Sequence, residues 1–371
     1  MIYLDNAATT KAFEEVAGVM KDYSCNTFYN PSAGYHAALE VAQKLGQVRK
    51  LMLSKLGAKA GDIIFTGGAT ESNNLAIRGS VRNGKWEYVF STGEHPSVYN
   101  TAKFLQESGY VVRFVPLQKN GQVDYVELEK VLNERTRLIS IIHASNETGA
   151  INDLKRIDAL RKKYCPKALF HSDGVQAFCK FPVNLEALGV DLYTVSAHKF
   201  HGPKGVGALY VRNKNGLKNI VYGGGQEGGL RSGTENVAGI MGMATALSMI
   251  DEEKNYKTAC KLKAAFLSEL KGVQGVQYID ADSPYVISLS FAGVNGETLM
   301  RSVEDKLIIG MGSACSAKYA GNRVLNELGF SADRIKSSVR VSFNAYQTEN
   351  EVKAAGQILA DAYKELLEKV R

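Results

Sequence analysis

The sequence contains few cysteines, and they are not arranged as a metal site or a disulfide framework. The five are scattered along the chain as Cys25, Cys165, Cys179, Cys260 and Cys315, and no two form a C-x-x-C pair. The six histidines also lack ligand spacing with these cysteines. This pattern argues against a zinc site and against a small disulfide-rich secreted fold, so we expect no metal.

Long hydrophobic runs and a strong charge bias are also absent. The longest apolar stretch, 237–250, is interrupted by glycine, threonine and serine, and it is shorter than the ~20 residues needed to span a bilayer. The N-terminus shows no basic region followed by an apolar run. The net charge of +7 is modest, and the lysines and arginines are dispersed. We therefore expect a cytoplasmic protein that binds neither membranes nor nucleic acid directly.

What the chain does contain is a regular alternation of short apolar runs and helical stretches. The predicted strands are 63–66, 88–91, 111–115, 138–142, 168–171, 192–195 and 206–211. Nearly continuous apolar runs of this kind are typical of strands that are covered on both faces. The pattern predicts an α/β fold with a seven-stranded, mostly parallel sheet, whose ligands bind beyond the carboxyl ends of its strands.

The rhythm changes in the last third of the chain, after a glycine-rich stretch at 223–229. The elements predicted there are a helix near 235–271, strands at 286–291 and 339–343, a helix at 297–305 and a final helix from Glu349. These elements suit a small α+β domain. We expect a large domain at 14–254 and a small domain formed by 1–13 and 255–371.

A first group of polar residues follows the predicted strand 63–66. The stretch 67–74 is a turn of small residues that opens a helix and contains Ala69 and Thr70. Free backbone N–H groups and the helix dipole at such a start favour a bound phosphate. A glycine turn capped by Thr70 or Ser72 would explain the same pattern without a ligand.

Two more polar residues follow later strands. Asp173 comes just after the strand at 168–171, where a buried acid needs a partner such as a protonated heterocyclic nitrogen. A helix N-cap is the alternative. Lys199 ends the run 196–199, ahead of a Gly-Pro turn. A lysine that forms an imine requires a partly desolvated pocket, although a single lysine is more commonly a surface residue.

Together these three features predict a pyridoxal 5′-phosphate site. The cofactor needs a phosphate turn, an acid for its pyridinium nitrogen and a lysine for its Schiff base, and the protein orients it and tunes its nitrogen. Gln176 is placed to hydrogen-bond the ring hydroxyl. His95, after another strand, is placed to stack on the ring and shuttle protons, and a loop or capping histidine is the alternative.

Six sequence blocks resemble those of one enzyme family. They are YLDNAATT at 3–10, GATESNN at 68–74, SAHK at 196–199, GPKG at 202–205, RSGTEN at 231–236 and GSAC at 312–315. In this order they are similar to the signature blocks of the cysteine desulfurases, the NifS/IscS branch of the class-V aminotransferases. The resemblance extends from residue 3 to about residue 345.

The resemblance implies a fold type I pyridoxal-phosphate homodimer with defined site residues. Lys199 would carry the cofactor, with His95 and Asp173 at the ring. The residues implied around the phosphate are Ala69, Thr70, Ser196 and His198, together with Thr234, which would reach the cofactor of the neighbouring subunit. Asn146 and Arg340 would hold the substrate carboxylate, a task that suits the bidentate guanidinium.

Cys315 determines the reaction that the resemblance implies. It lies in a segment of small residues, where an exposed thiol can ionise beside a positive group, although a passive loop thiol fits the same position. The implied activity converts L-cysteine to L-alanine and leaves the sulfur as a persulfide on Cys315. The acceptor would be an iron–sulfur scaffold protein or a tRNA-thiolation enzyme. A selenocysteine lyase, an aminotransferase of the same fold and a non-catalytic sulfur-relay protein are the alternatives.

Overall fold

The structure, a computed structural model, describes residues 1–311 and 322–370. Strands and helices are numbered in chain order. The main sheet contains β2 (Asp62–Thr66), β3 (Glu87–Ser91), β4 (Val111–Val115), β5 (Thr136–Ser140), β6 (Leu169–Asp173), β7 (Leu192–Ser196) and β8 (Gly207–Val211). Their order across the sheet is β2-β8-β7-β6-β5-β3-β4. Only β8 of these seven runs opposite to the others, so the predicted seven-stranded, mostly parallel sheet is confirmed.

Both faces of this sheet are buried, as the continuous apolar strands predict. In β3, Tyr88 and Phe90 pack into one hydrophobic cluster, whereas Val89 packs into the cluster on the opposite face. The accompanying helices are α1 (Glu14–Cys25), α2 (His36–Lys55), α3 (Ala69–Gly79), α4 (Pro96–Glu107), α5 (Tyr125–Val131), α6 (Leu154–Tyr164), α7 (Leu185–Leu188) and α8 (Val237–Ser248). Burial of apolar surface on both sides of the sheet stabilises the layered arrangement.

A second, antiparallel sheet lies in the C-terminal third. It has the order β12-β10-β9. The elements of this part are β9 (Val276–Tyr278), β10 (Val286–Phe291), β11 (Leu307–Ile308), β12 (Ser338–Ser342), α9 (Glu252–Leu270), α10 (Gly296–Val303), α11 (Arg323–Glu327), α12 (Ala332–Lys336) and α13 (Glu349–Val370). The N-terminal strand β1 (Ile2–Tyr3) pairs with β11 in parallel. This pairing supports the grouping of residues 1–13 with the C-terminal part, although the division of the chain near residue 254 stays a prediction.

Several element boundaries differ from those predicted, and two of the differences have a visible cause. The helix predicted near 235–271 is two helices, because Asp251 caps a new start at α9 by accepting a hydrogen bond from the backbone N–H of Lys254. The strand predicted at 138–142 ends at Ser140. Beyond that point, the N–H of Ile142 donates to the carboxylate of Glu94 at 2.8 Å rather than to a neighbouring strand.

Within the two described ranges, no helix is both long and apolar enough to cross a membrane. The same ranges contain no group of three or more histidine, cysteine, aspartate or glutamate side chains that could hold a metal ion.

Candidate active site

A cleft of about 1060 Å³ opens at the carboxyl edge of the large sheet. Because β2, β3, β5, β6 and β7 all run in one direction, the residues that follow them meet at this edge. Ten of the residues predicted from the sequence line the cleft: Ala69, Thr70, His95, Asn146, Asp173, Gln176, Ser196, His198, Lys199 and Arg340. Residues distant in sequence are thus brought to one cavity.

Lys199 ends a short 3₁₀ turn that directly follows β7. Its ammonium group donates to the carbonyl oxygens of Ala7 at 2.6 Å and Ala8 at 2.8 Å. Burial lowers the pKa of Lys199 to about 8, and the nearby guanidinium of Arg340 acts in the same direction. The unprotonated, nucleophilic form of this amine is therefore easier to reach near neutral pH than that of an ordinary lysine.

Asp173 is the last residue of β6 and is buried. One carboxylate oxygen accepts from the backbone N–H of Val175 at 3.0 Å, and the other accepts from the side-chain amide of Asn73 at 2.8 Å. Val175 begins a turn, and the bond from its N–H makes Asp173 the cap of that turn, so the capping alternative stands beside the predicted role. These two neutral donors hold the acid in place and leave its charge to act on a partner in the cleft.

The small-residue turn lies at the start of α3, as predicted. Gly68 has φ +147°, and a Cβ atom added there would meet nothing within 4 Å, so the cleft is open above the turn. Ala69 and Thr70 are the first residues of the helix, where backbone N–H groups have no intrahelical partner. The carboxylate of Glu71 accepts from Nε of Arg231 at 2.8 Å and from the backbone N–H of Gly67 at 2.7 Å. The geometry therefore suits a bound anion.

Arg340 lies in β12 and reaches into the cleft from the smaller sheet. Its Nη1 donates to the backbone carbonyl of Asn146 at 3.0 Å and lies 3.5 Å from a carboxylate oxygen of Glu147. Its Nη2 donates to Asp5 at 2.9 Å. Its Nε is buried with no hydrogen-bond partner among the described residues. A buried donor of this kind is costly unless a ligand satisfies it.

Two histidines lining the cleft are neutral at physiological pH. His95 is the N-cap of α4, and burial lowers its pKa. Burial also lowers the pKa of His198 to about 4, with the positive charge of Lys199 acting in the same direction. His198 Nδ1 lies 3.1 Å from the hydroxyl of Thr9. Both rings are available as neutral hydrogen-bonding groups.

The chain matches the sequence model of the aminotransferase class-V family over residues 2–355. It belongs to this family. A curated relative, "Cysteine desulfurase IscS" of Dictyoglomus turgidum, is 36% identical over 382 aligned positions that cover 100% of this chain and 95% of that protein. A solved structure named "NIFS-LIKE PROTEIN" superposes with a TM-score of 0.90 at 32% identity, covering 98% and 99% of the two chains. A second, "SspA in complex with cysteine", gives a TM-score of 0.82 at 30% identity and covers 94% and 100%.

Of the other two predicted site residues of this family member, one lies outside the cleft and the other outside the described residues. Thr234 is exposed and does not line the cavity. Its predicted place is at the cofactor of a neighbouring subunit, which stays a prediction. Cys315 lies outside the described residues. The individual roles predicted for the residues that do line the cleft also stay predictions.

Four polar residues of the site were missed from the sequence. They are Asp5 and Glu147 beside Arg340, Asn73 beside Asp173, and Lys180, which donates to the side chain of Gln176. Lys180 is buried, and burial lowers its pKa to about 7. The sequence feature that could have indicated Lys180 is its position four residues after Gln176 in an otherwise apolar stretch. Asp5, Asn73 and Glu147 lie within sequence stretches that the resemblance already singled out.

Proposed function

We propose that this chain is a pyridoxal-phosphate-dependent cysteine desulfurase that converts L-cysteine to L-alanine and passes on the sulfur. One observation carries the proposal. A single cleft brings together an amine of lowered pKa (Lys199), a buried acid (Asp173), the open start of α3 and a buried guanidinium (Arg340). The names of the relatives, IscS and a cysteine complex of SspA, support cysteine as the substrate.

The residues of the cleft fit the cofactor at both of its ends. The open space above Gly68 and the N–H groups at the start of α3 suit its phosphate, with Ser196 and His198 alongside. Asp173 would hold the ring nitrogen, and Gln176 would hydrogen-bond the ring hydroxyl. When bound, pyridoxal phosphate supplies an electron sink for the substrate's α-carbon.

The protein's own side chains would handle the protons. Lys199 would tether the cofactor and, once released, take the α-proton of the substrate on Nζ, where the lowered pKa leaves a free lone pair. Arg340 would bind the substrate carboxylate together with Asn146. Its unsatisfied buried Nε is a donor that such a carboxylate would pair.

Cys315 would receive the sulfur. The bond between Cβ and sulfur of L-cysteine breaks, a bond forms between that sulfur and Sγ of Cys315, and the carbon product leaves as L-alanine. The persulfide would then be passed to an acceptor, either an iron–sulfur scaffold protein or a tRNA-thiolation enzyme.

The functional unit would be a homodimer. The exposure of Thr234 supports this arrangement, because a residue that serves the partner's cofactor must be presented at the surface. Large hydrophobic side chains are also exposed in the single chain, among them Phe28, Tyr35 and Tyr222. Such groups are typical of surfaces that are covered on association.

The test is to incubate the purified holoenzyme with L-cysteine, without a reductant, and to measure both products. We expect L-alanine in the solution and, by mass spectrometry of proteolytic peptides, one additional sulfur atom on Cys315. Pyruvate with free sulfide, or a transaminated cofactor without a protein persulfide, would show that the reaction belongs to a lyase or an aminotransferase instead.

Uptake of pyridoxal phosphate by the cofactor-free protein should accelerate as the pH rises through about 8, because burial lowers the pKa of Lys199 to about 8. Below this pH the amine is protonated and has no lone pair for imine formation, and above it the lone pair is free. An ordinary lysine would place the midpoint near ~10.4. The rate of appearance of the visible absorption, measured against pH, checks this. A midpoint at the ordinary lysine value would contradict it.

A further inference from the structure

A chain of hydrogen-bonded side chains connects His95 to Asp173 behind the cleft. The amide nitrogen of Asn73 donates to Asp173 at 2.8 Å and to the hydroxyl of Ser97 at 2.8 Å. That hydroxyl lies 2.8 Å from His95 Nδ1. Asn73 and Asp173 are buried, and Ser97 is half-buried in the first turn of α4.

The carboxylate of Asp173 determines which groups donate and which accept in these hydrogen bonds. A carboxylate only accepts, so Asn73 must turn its NH₂ group toward Asp173, and the second hydrogen of that group goes to Ser97. The Ser97 hydroxyl therefore accepts from Asn73, which leaves its single proton for His95 Nδ1. Reversing the amide would place its oxygen against the carboxylate. The present orientation is kept although the amide oxygen of Asn73 is buried without a partner among the described residues.

His95 Nδ1 receives a second donor from the same residue. The backbone N–H of Ser97 also points at Nδ1, at 3.2 Å. Two donors directed at one ring nitrogen require that nitrogen to carry the lone pair, so the ring proton of neutral His95 is on Nε2. Because Nδ1 is turned to Ser97 while the ring lines the cleft, Nε2–H is the group offered to a ligand.

We propose that Ser97 and Asn73 are positioning residues that hold His95 as the Nε2-protonated tautomer, so that it faces the reacting groups as a hydrogen-bond donor. The role of this tautomer in catalysis rests on the proposed desulfurase function. The assignment of the tautomer rests only on the hydrogen bonds around His95. In this state His95 has no free lone pair toward the cleft. The first base for a substrate proton is then Lys199, and His95 stabilises negative charge.

The surroundings of His95 also favour its neutral form. Burial is the main cause that lowers its pKa, and the charges of Lys199 and Arg323 lower it further, while Asp173 and Glu147 oppose them. Protonation would place an N–H at Nδ1 against the two Ser97 donors. The ring is therefore kept neutral by its burial and by the hydrogen-bond pattern together.

The tautomer can be read directly from ¹⁵N NMR spectra of the histidine rings in the labelled holoenzyme. His95→Gln removes one set of signals and so identifies those of His95. We expect the shifts of an unprotonated Nδ1 and a protonated Nε2 across neutral pH. A protonated Nδ1, or an even mixture of tautomers, would overturn the proposal.

Variants of Ser97 test the proposed cause. Ser97→Ala removes the hydroxyl donor but keeps the backbone N–H, so the midpoint for protonation of His95 should rise by about 0.7 pH unit. Ser97→Thr keeps a hydroxyl and should restore the wild-type midpoint. An unchanged midpoint in Ser97→Ala, or a Thr variant that behaves like the Ala variant, would overturn the role of Ser97.

This experiment separates the inference from the proposed function. If His95 is the Nε2–H tautomer but L-cysteine yields no alanine, the positioning role stands and the desulfurase assignment fails. If alanine and the persulfide form but Nδ1 carries the proton, the assignment stands and the positioning role fails.

Discussion

Lys199→Ala should reduce the rate of alanine formation by about 10⁴-fold or more, because the variant loses two functions at once. The first is the amine that we propose as the tether of the cofactor. The second is the proposed base at the substrate's α-carbon, for which the pKa of Lys199 is lowered to about 8. Two buried neighbouring cations are already engaged, since Lys180 donates to Gln176 and Arg340 donates to Asp5 and Asn146.

The measurement is the initial rate of alanine formation together with the visible spectrum of the purified variant. We expect the Schiff-base absorption to disappear, and some cofactor to stay bound without a covalent bond at the proposed phosphate turn and Asp173. Lys167→Ala is the matched control, because Lys167 is exposed and does not line the cleft. Turnover of Lys199→Ala within tenfold of the control would remove Lys199 from the mechanism.

The part of the fold that sequence predicts well is the part set by local pattern. Each of the seven apolar runs is a strand, because burial on both faces of a parallel sheet selects continuous hydrophobic residues. The stretch 235–271 is predicted as one helix, and this prediction is wrong. The polar run 251–255 interrupts the stretch, and Asp251 at its start caps the second helix.

The pattern of strands also predicts which residues lie at strand ends near the site, but it does not predict their hydrogen-bond partners. Asp173 and Lys199 were found because a polar residue at the carboxyl end of a buried strand is costly without a function. Asp5 could not be paired with Arg340, because the two are 335 positions apart and meet only when β1 and β12 are assembled. The contacts of Lys199 with Ala7 and Ala8 likewise join positions 192 and 191 residues apart.

The two ends of the segment that contains Cys315 are anchored beside the cleft. On one side, Gly310 exchanges backbone hydrogen bonds with Arg340, at 2.9 and 2.7 Å. On the other, the amide of Asn322 donates to the carboxylate of Glu147 at 2.7 Å. Both partners line the cleft. These contacts fix the described residues on both sides of the segment that carries Cys315 at the edge of the cleft.

Cys315→Ala should retain the cofactor and its visible absorption. Its rate of sulfide release, assayed with L-cysteine and a reductant, should fall by at least about 10³-fold. In the proposed mechanism the cofactor chemistry depends on Lys199 and Asp173, which the change does not touch, whereas the sulfur loses its acceptor. Spectral changes on adding L-cysteine should persist, which separates substrate binding from sulfur transfer. Cys260→Ala is the control, since that thiol is exposed elsewhere in the chain. It should keep wild-type turnover, and equal rates in the two variants would show that Cys315 does not carry the sulfur.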